Sequence, residues 1–417
     1  MGSRKRLPRT VELEVLGQTA DGLGFGVAAG RKCVVKGALP GETVSARVLG
    51  RRKGQIVAIA ETIHTASNNR REPFCAVFPR CGGCSNQHWE YAEQTQLKEH
   101  WVRSELSKHE LCHGSLVTTY HGSTVGYRRR ARLGVRWIDE NGGAFVGFRE
   151  TFGSYVVDME MCPTLVSGLA ELIGPLRDLI PRMSGRKRIP QIELVAGDNA
   201  RALILRHLDP LTAHDLGHLS NFSNSHDVWV YGQSGGYDTV IRHFPPGDPN
   251  AKLAYKLSNS DVTLEFGPTD FIQVNSEINH LLVEAVLKEL DLGSEDCVID
   301  LFCGIGNFSL PIARTAKSVL GLEISKTAVE QARRNAEVND LSIIAEFLET
   351  DLYRPTENEL TKTDYKMLLD PPRSGAGPEF ARLARGAQRV VYVSCNPATF
   401  AEDGALLCLL YTSPSPR

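Results

Sequence analysis

Asp300-Leu301-Phe302-Cys303-Gly304-Ile305-Gly306-Asn307-Phe308 is the stretch that decides the fold of this 417-residue chain. The apolar run Val298-Ile299-Asp300-Leu301-Phe302 leads into it and reads as a buried strand. Its glycines let the backbone turn sharply and approach a ligand where side chains would block it. Working outward, Ser318 to Glu323, Tyr365 to Asp370 and Arg389 to Ser394 read as further buried strands, and Ile278–Leu290 and Val329–Val338 as helices. Strands alternating with helices predict a parallel, doubly wound sheet. The turn is neither a full G-x-G-x-x-G nor a P-loop. An acid, Glu323, ends the next strand, where a carboxylate can accept both ribose hydroxyls of an adenosine cofactor. Asp-x-x-x-G-x-G with that spaced acid points to S-adenosylmethionine (SAM). The plain alternative is a tight strand–helix turn with a surface Glu.

Towards the N-terminus the period is different. Val11 to Val15, Cys33 to Val35, Thr43 to Val48 and Gln55 to Ile59 are short strand candidates between Gly-rich turns. They predict a small barrel, either a plain β domain or an OB-like nucleic-acid binder with Arg51-Arg52-Lys53 at a turn. Residues 67–88 read as irregular and 89–111 as a helix. Residues 115–266 read as mainly β with one helix near 164–180. The expected domains are therefore 1–66, 67–266 and 267–417, with helix 89–111 a candidate to pack on the last.

The formal net charge of −2 conceals an asymmetry. The first 140 residues carry 22 Lys and Arg against 13 Asp and Glu; the rest carry 25 against 36. A basic front on an acidic back hints at a polyanion-binding module. No run approaches the ~18 apolar residues of a membrane span. Arg4-Lys5-Arg6 is followed by no apolar region, so no secretory signal is read. A reducing, cytoplasmic compartment is the default, and the ten Cys are read as ligands, catalytic thiols or core residues rather than disulfides.

Four further groups carry chemistry. Cys75-x5-Cys81-x2-Cys84, with Cys162 downstream, makes a tetrathiolate set that suits Zn²⁺ or an Fe–S cluster; the spacing is not the paired Cys-x2-Cys of a zinc ribbon, which favours the cluster. Leu369-Asp370-Pro371-Pro372 fixes an Asp at the carboxyl edge of the sheet. Val393-Ser394-Cys395-Asn396-Pro397 puts a thiol at a strand end, where it is a candidate nucleophile. In Tyr127-Arg128-Arg129-Arg130-Ala131-Arg132, strand alternation would place Arg128, Arg130 and Arg132 on one face, suited to RNA phosphates; a solvated edge strand is the alternative.

Taken in order, these motifs resemble the SAM-dependent RNA uracil-C5 methyltransferases, and within that family the bacterial branch acting on 23S ribosomal RNA. The resemblance runs from about Val11 to about Asp403. It adds Gly126 before the basic run, Phe271-Ile272-Gln273-Val274-Asn275 and Arg373 after the prolines. It implies a multi-domain α/β protein: an N-terminal OB-like TRAM barrel, a mainly β central domain with a [4Fe-4S] cluster on Cys75, Cys81, Cys84 and Cys162, and a C-terminal Rossmann-like SAM domain. It implies a SAM site lined by Gln273, Phe302, Asn307, Glu323 and Asp351. Asp370 would lie between cofactor and base, and Cys395 would be the nucleophile. The reading is of a monomer acting on ribosomal RNA.

One departure stands out. The family continues past Cys-Asn-Pro to a Glu that abstracts the C5 proton; this sequence ends at Arg417, and Glu402 and Asp403 match no such base. The chain is therefore read as cut short, either able to form the covalent RNA adduct but turning over poorly, or failing to fold its last sheet strands. A transfer RNA uracil-C5 methyltransferase remains an alternative, as does a non-catalytic RNA-binding protein. A base-amino methyltransferase would leave Cys395 unused, and a radical-SAM enzyme would need a Cys-x3-Cys-x2-Cys that is absent.

Overall fold

The computed structural model describes residues 7–111, 117–140, 142–248, 251–354 and 364–412. The basic start of the chain and its last five residues, on which the leader and truncation readings partly rested, lie outside that set. The protein is a mixed α/β chain with several sheets. It divides into two compact units, 1–101 with 132–163 and 173–181, and 102–131 with 164–172 and 182–417. The segment expected as a barrel falls in the first unit with 67–101, 132–163 and 173–181, while the larger part of the expected central domain, 102–131, 164–172 and 182–266, falls in the second.

In the first unit, six strands between Thr10 and Thr65 form one sheet. Thr10–Glu14 alternates strictly, Val11 and Leu13 inward and Thr10, Glu12 and Glu14 outward, as period-2 patterning requires. Val11, Leu13, Val15, Cys33, Val35, Val44, Ala46, Ile56 and Ala58 make its core. Residues 66–90 contain no helix or strand. Their start is fastened by Glu42, fully buried, whose carboxylate accepts from Arg70 Nε and Nη2 at 2.6 Å each and from the Ser67 and Leu39 amides. Burial alone would raise the Glu42 carboxyl; the Arg70 and backbone donors hold it below its ordinary range. Beyond, Gly143–Gly147 pairs antiparallel with the 134–138 part of the strand Arg130–Ile138.

The second unit contains the doubly wound sheet. Its strands Ala345–Glu349, Ser318–Glu323, Cys297–Leu301, Tyr365–Leu369 and Ala387–Tyr392 lie in that spatial order, all parallel. Neighbouring residues on a strand enter different cores. Val298 and Leu368 pack with Val283, Val286 and Leu290 of helix Ser276–Leu290 and with Val329 and Ala332 of helix Lys326–Val338. Ile299, Leu301, Met367 and Leu369 pack with Phe380, Leu383 and Ala384. With both faces covered, the strands read as continuous apolar runs. The helices start where expected of capped helices: the Asn275 side chain accepts from the Ile278 amide and Ser325 from Ala328. In chain order the first strand, Cys297–Leu301, sits at the centre, and the order reverses between it and Tyr365–Leu369. Such a reversal opens a crevice at the strands' carboxyl ends.

The middle of the chain is less β-rich than expected. Ala213–His226 is a helix of 14 residues, and the helix expected near 164–180 is broken into Ser167–Ala170 and Ile173–Leu179. The described residues end in a further helix, Pro397–Thr412.

Candidate functional site at the carboxyl edge of the parallel sheet

The turn after Cys297–Leu301 is wound tightly. Phe302, Gly304 and Gly306 all take positive φ, at 63°, 56° and 92°. A non-glycine residue in that region carries strain of order 1–3 kcal/mol and marks functional segments. The Gly304 amide donates to Glu323 Oε2 at 3.2 Å, and the Ser325 amide donates to Oε1 at 2.9 Å. Glu323 therefore stands at the crevice with its carboxylate oriented by backbone donors from two loops.

Asp300 lies fully buried beneath the turn. Ser309 Oγ donates to its Oδ2 at 2.5 Å, while Oδ1 has no hydrogen-bond partner among the described residues. Burial pushes its carboxyl up to about 7; the Ser309 bond opposes this, and Asp370 and Glu323 add repulsion. Asp370, held at the next strand end by its amide to Leu301 O at 3.2 Å, is pushed up to about 6 by burial. The orphaned buried Asp300 Oδ1 is a place for a donor.

The other residues expected at the cofactor site are placed as follows. Asn307 opens the following loop; its Oδ1 accepts from Tyr255 Oη at 2.8 Å and Asn279 Nδ2 at 2.9 Å. Its side chain is thus pinned to the hairpin Leu253–Leu257 with Val262–Phe266 and to helix Ser276–Leu290. Asp351 is exposed after Ala345–Glu349, its Oδ1 accepting from the Tyr353 amide at 3.0 Å. Gln273 is half-buried just before helix Ser276–Leu290. Sequence reasoning missed Tyr353, whose ring centroid lies 5.9 Å from that of Phe302 and whose hydroxyl donates to Gly375 O at 2.9 Å. An aromatic two residues past Asp351 was the available signal.

Cys395 is exposed. The Val393 amide continues the ladder to Leu369 O at 2.8 Å, so the segment carrying Cys395 leaves the sheet beside the one carrying Asp370. Asn396 turns the chain through its amide to Ser394 Oγ at 3.1 Å and donates from Nδ2 to Arg373 O at 3.1 Å. Thiol and acid are thereby fastened on adjacent loops.

The arginines divide. Arg130 donates to Glu193 Oε2 at 3.2 Å, to Pro268 O at 3.1 Å and to Asp270 O, anchoring the segment that leads to Gln273. Arg128 lies before the strand, its Nε donating to Arg130 O at 2.9 Å. Arg132 is exposed and belongs to the first unit.

The four expected thiols all belong to the first unit. Cys81 and Cys162 are buried, Cys75 and Cys84 half-buried. Gly82 passes against Arg149 O, which a Cβ would meet at 2.7 Å, and the Gly83 amide donates to Cys81 Sγ at 3.3 Å. Burial pushes the Cys81 thiol up; the Gly83 bond opposes this, and nearby Cys84 and Cys162 add to it. The buried Lys36 ammonium donates to Cys81 O and Thr151 Oγ1, both at 2.5 Å. Among the described residues, no group of three or more His, Cys, Asp or Glu side chains is gathered so as to hold a metal ion. Nor is any helix long and apolar enough to cross a membrane.

The family model described as tRNA (Uracil-5-)-methyltransferase matches residues 91–410. The chain belongs to this family. Among its curated relatives are the 23S rRNA (uracil(1939)-C(5))-methyltransferase RlmD of Hahella chejuensis, 40% identical over 97% of this chain and 92% of that protein, and that of Nitrosospira multiformis, 39% identical over 93% and 89%. The crystal structure of Pyrococcus abyssi tRNA (uracil-54, C5)-methyltransferase in complex with S-adenosyl-L-homocysteine has the same fold, with a TM-score of 0.70 and 23% identity over 95% of this chain and 93% of that one. For this uracil-C5 methyltransferase the sheet edge just described is the region to examine for chemistry.

Proposed function

We propose that this chain transfers the methyl group of SAM to C5 of a uridine in 23S ribosomal RNA through a covalent bond from Cys395 to C6. The observation that carries this reading is the exposed Cys395 thiol on a loop fastened to the one that bears Asp370. The ribosomal target rests on the relatives named above; a transfer RNA target is the reading it competes with.

Uracil C5 is too weakly nucleophilic to attack a methyl sulfonium unaided. The Cys395 thiolate adds to C6, and the electron pair of the C5–C6 bond moves onto C4 and its oxygen as an enolate, making C5 nucleophilic. SAM, when bound, supplies an electrophilic methyl on a cationic sulfur. C5 would take that methyl as the methyl–sulfur bond breaks, its electron pair staying on the sulfur of departing S-adenosylhomocysteine. A base then removes the C5 proton and the C6–S bond breaks, returning the thiolate. Glu323 would bind the ribose hydroxyls, Phe302 and Asp351 would flank the adenosine, and Gln273 and Asn307 would line the remainder. Asp370 would lie between cofactor and base. The target base must be unpaired or flipped out to reach the pocket. Arg128 and Arg132 would contact phosphates, with Arg130 supporting the loop beside them.

The first unit would bind RNA through an OB-like TRAM barrel at 1–66, ahead of the 67–266 region and a Rossmann-like catalytic region from 267. Cys75, Cys81, Cys84 and Cys162 would hold a [4Fe-4S] cluster. An all-sulfur donor set, a Gly83 amide directed at sulfur and a buried ammonium beside the thiols support that fit. The cluster's part is structural, because methyl transfer needs no electron. A reducing cytoplasm and a monomer complete the reading.

The test is incubation with 23S ribosomal RNA fragments and transfer RNA carrying 5-fluorouridine. A covalent adduct on the ribosomal fragment that is lost in Cys395→Ala supports the reading. RNA binding without an adduct or methylation overturns it, and an adduct on transfer RNA alone reassigns the substrate.

A further inference from the structure

The loop 371–377 that follows Asp370 has no regular structure and runs through two left-handed glycines, Gly375 at φ 88° and Gly377 at φ 77°. Such a loop holds one shape only if its polar groups are tied elsewhere. Three ties are present. Asn396 Nδ2 and Thr399 Oγ1 donate to Arg373 O at 3.1 Å and 3.4 Å. Tyr353 Oη donates to Gly375 O at 2.9 Å. The third is Asp403, buried on helix Pro397–Thr412, whose Oδ2 accepts from the Ala376 amide at 2.7 Å and from Tyr392 Oη at 2.6 Å.

That carboxylate lies close against this loop. A Cβ on Gly375 would lie 2.8 Å from Asp403 Oδ2. No Lys, Arg or His pairs with Asp403 among the described residues. A buried charge is costly unless hydrogen-bonded, so Asp403 serves two donors, one on the Asp370 loop and one at the end of the strand that leads to Cys395. Tyr392 packs between Phe380 and Phe400, with ring centroids at 6.0 Å and 5.2 Å.

We propose that Asp403, with Tyr392, is a positioning residue that sets the register between the Asp370 loop and the Cys395 loop, so that thiolate and target base meet in attack geometry. The inference rests on Cys395 being the nucleophile. It acts on the step, not on binding: neither side chain is among the residues expected to touch SAM or RNA. A displacement of about 1 Å in such a constellation costs on the order of 10²-fold in rate.

The experiment measures the rate of adduct formation on 5-fluorouridine RNA at saturating RNA and SAM, together with both dissociation constants and the thermal midpoint. Tyr392→Phe removes one hydroxyl and keeps the ring. It is expected to slow adduct formation about tenfold, with both dissociation constants within about twofold; Asp403→Asn, which keeps an acceptor oxygen, should fall in the same range and Asp403→Ala near a hundredfold. Should Asp403→Ala fail to fold, the Tyr392→Phe result decides. A Tyr392→Phe rate within twofold of the unaltered protein overturns the inference, as does a loss accounted for by weaker RNA or SAM binding. If the unaltered protein forms no adduct, the nucleophile reading itself fails, which is a separate outcome.

Discussion

The glycine turn at 302–308 and the cysteine turn at 75–84 are both short, irregular loops, yet they are built in opposite ways. In the first, the chain supplies most of the partners: Glu323 is held at both oxygens, Asp300 is bonded by Ser309, and Asn307 is pinned by Tyr255 and Asn279. It grows out of a parallel sheet covered on both faces. In the second, the Gly83 amide donates to Cys81 Sγ and the buried Lys36 ammonium donates to Cys81 O. The sheet-edge side chains are held by hydrogen bonds within the second unit, whereas the cysteine turn belongs to the first. That difference predicts that damage to one site leaves the other largely intact.

The largest effect is expected at the nucleophile. Cys395→Ala should lower methylation by at least ~10³-fold, the scale expected when covalent catalysis is removed, with SAM affinity and iron content unchanged. Isotope transfer from labelled SAM to RNA measures it, and residual activity near that of the unaltered protein would sink the mechanism.

Next comes the cysteine turn. Cys81→Ser should release iron and acid-labile sulfide from anaerobically purified protein and lower the first thermal transition, while SAM affinity stays within about threefold. Zinc in place of iron would correct the cluster assignment. A collapse of SAM binding would show that the two sites are not independent.

A smaller effect should come from the charge stored under the glycine turn. An unfolded Asp ionises near 4, whereas burial pushes Asp300 up to about 7. The folded state therefore keeps a proton that the unfolded state gives up, so the associated stability is present at low pH and is lost as pH rises towards about 7. Between about pH 5 and about pH 8, cofactor-free protein should lose up to roughly 3 kcal/mol from this group. Asp370, raised to about 6, adds to the slope in the same direction. Urea titrations at the two pH values should show a flatter dependence in Asp300→Asn; equal slopes would contradict the burial argument.

How much of this was legible depends on the range of the interaction. Four of the five parallel strands could be read as apolar runs, and Glu323 and Asp370 because each ends one of them; Ala345–Glu349 was missed because two of its five residues are Glu and its burial alternates. Ala213–His226 was missed because its Ser, Asn and His content masks a narrow inner face of Leu219, Phe222 and Ser223; the Thr212–Asp215 capping box was the signal that marked its start. Arg128, Arg130 and Arg132 were expected on one strand face, yet the strand begins only at Arg130. The ties of Glu42 to Arg70, Lys36 to Cys81 and Asp403 to Ala376 join residues 27 to 45 positions apart, and no local period announces them.

The smallest expected effect separates ties that shape a site from ties that merely decorate a surface. Arg47 and Glu61 form an ion pair at 2.6 Å on the sheet of the first unit, each about half exposed. Water screens both charges and the long side chains lose freedom in pairing, so Arg47→Ala should change stability by less than about 1 kcal/mol. Arg70 faces the same kind of partner, but its Glu42 is fully buried and also receives two backbone amides. Arg70→Met would leave that carboxylate buried without its counter-charge, at a cost of about 3–5 kcal/mol. If urea unfolding gave the two variants equal losses, burial would not be what distinguishes the tie at the start of the cysteine segment from an ordinary surface pair.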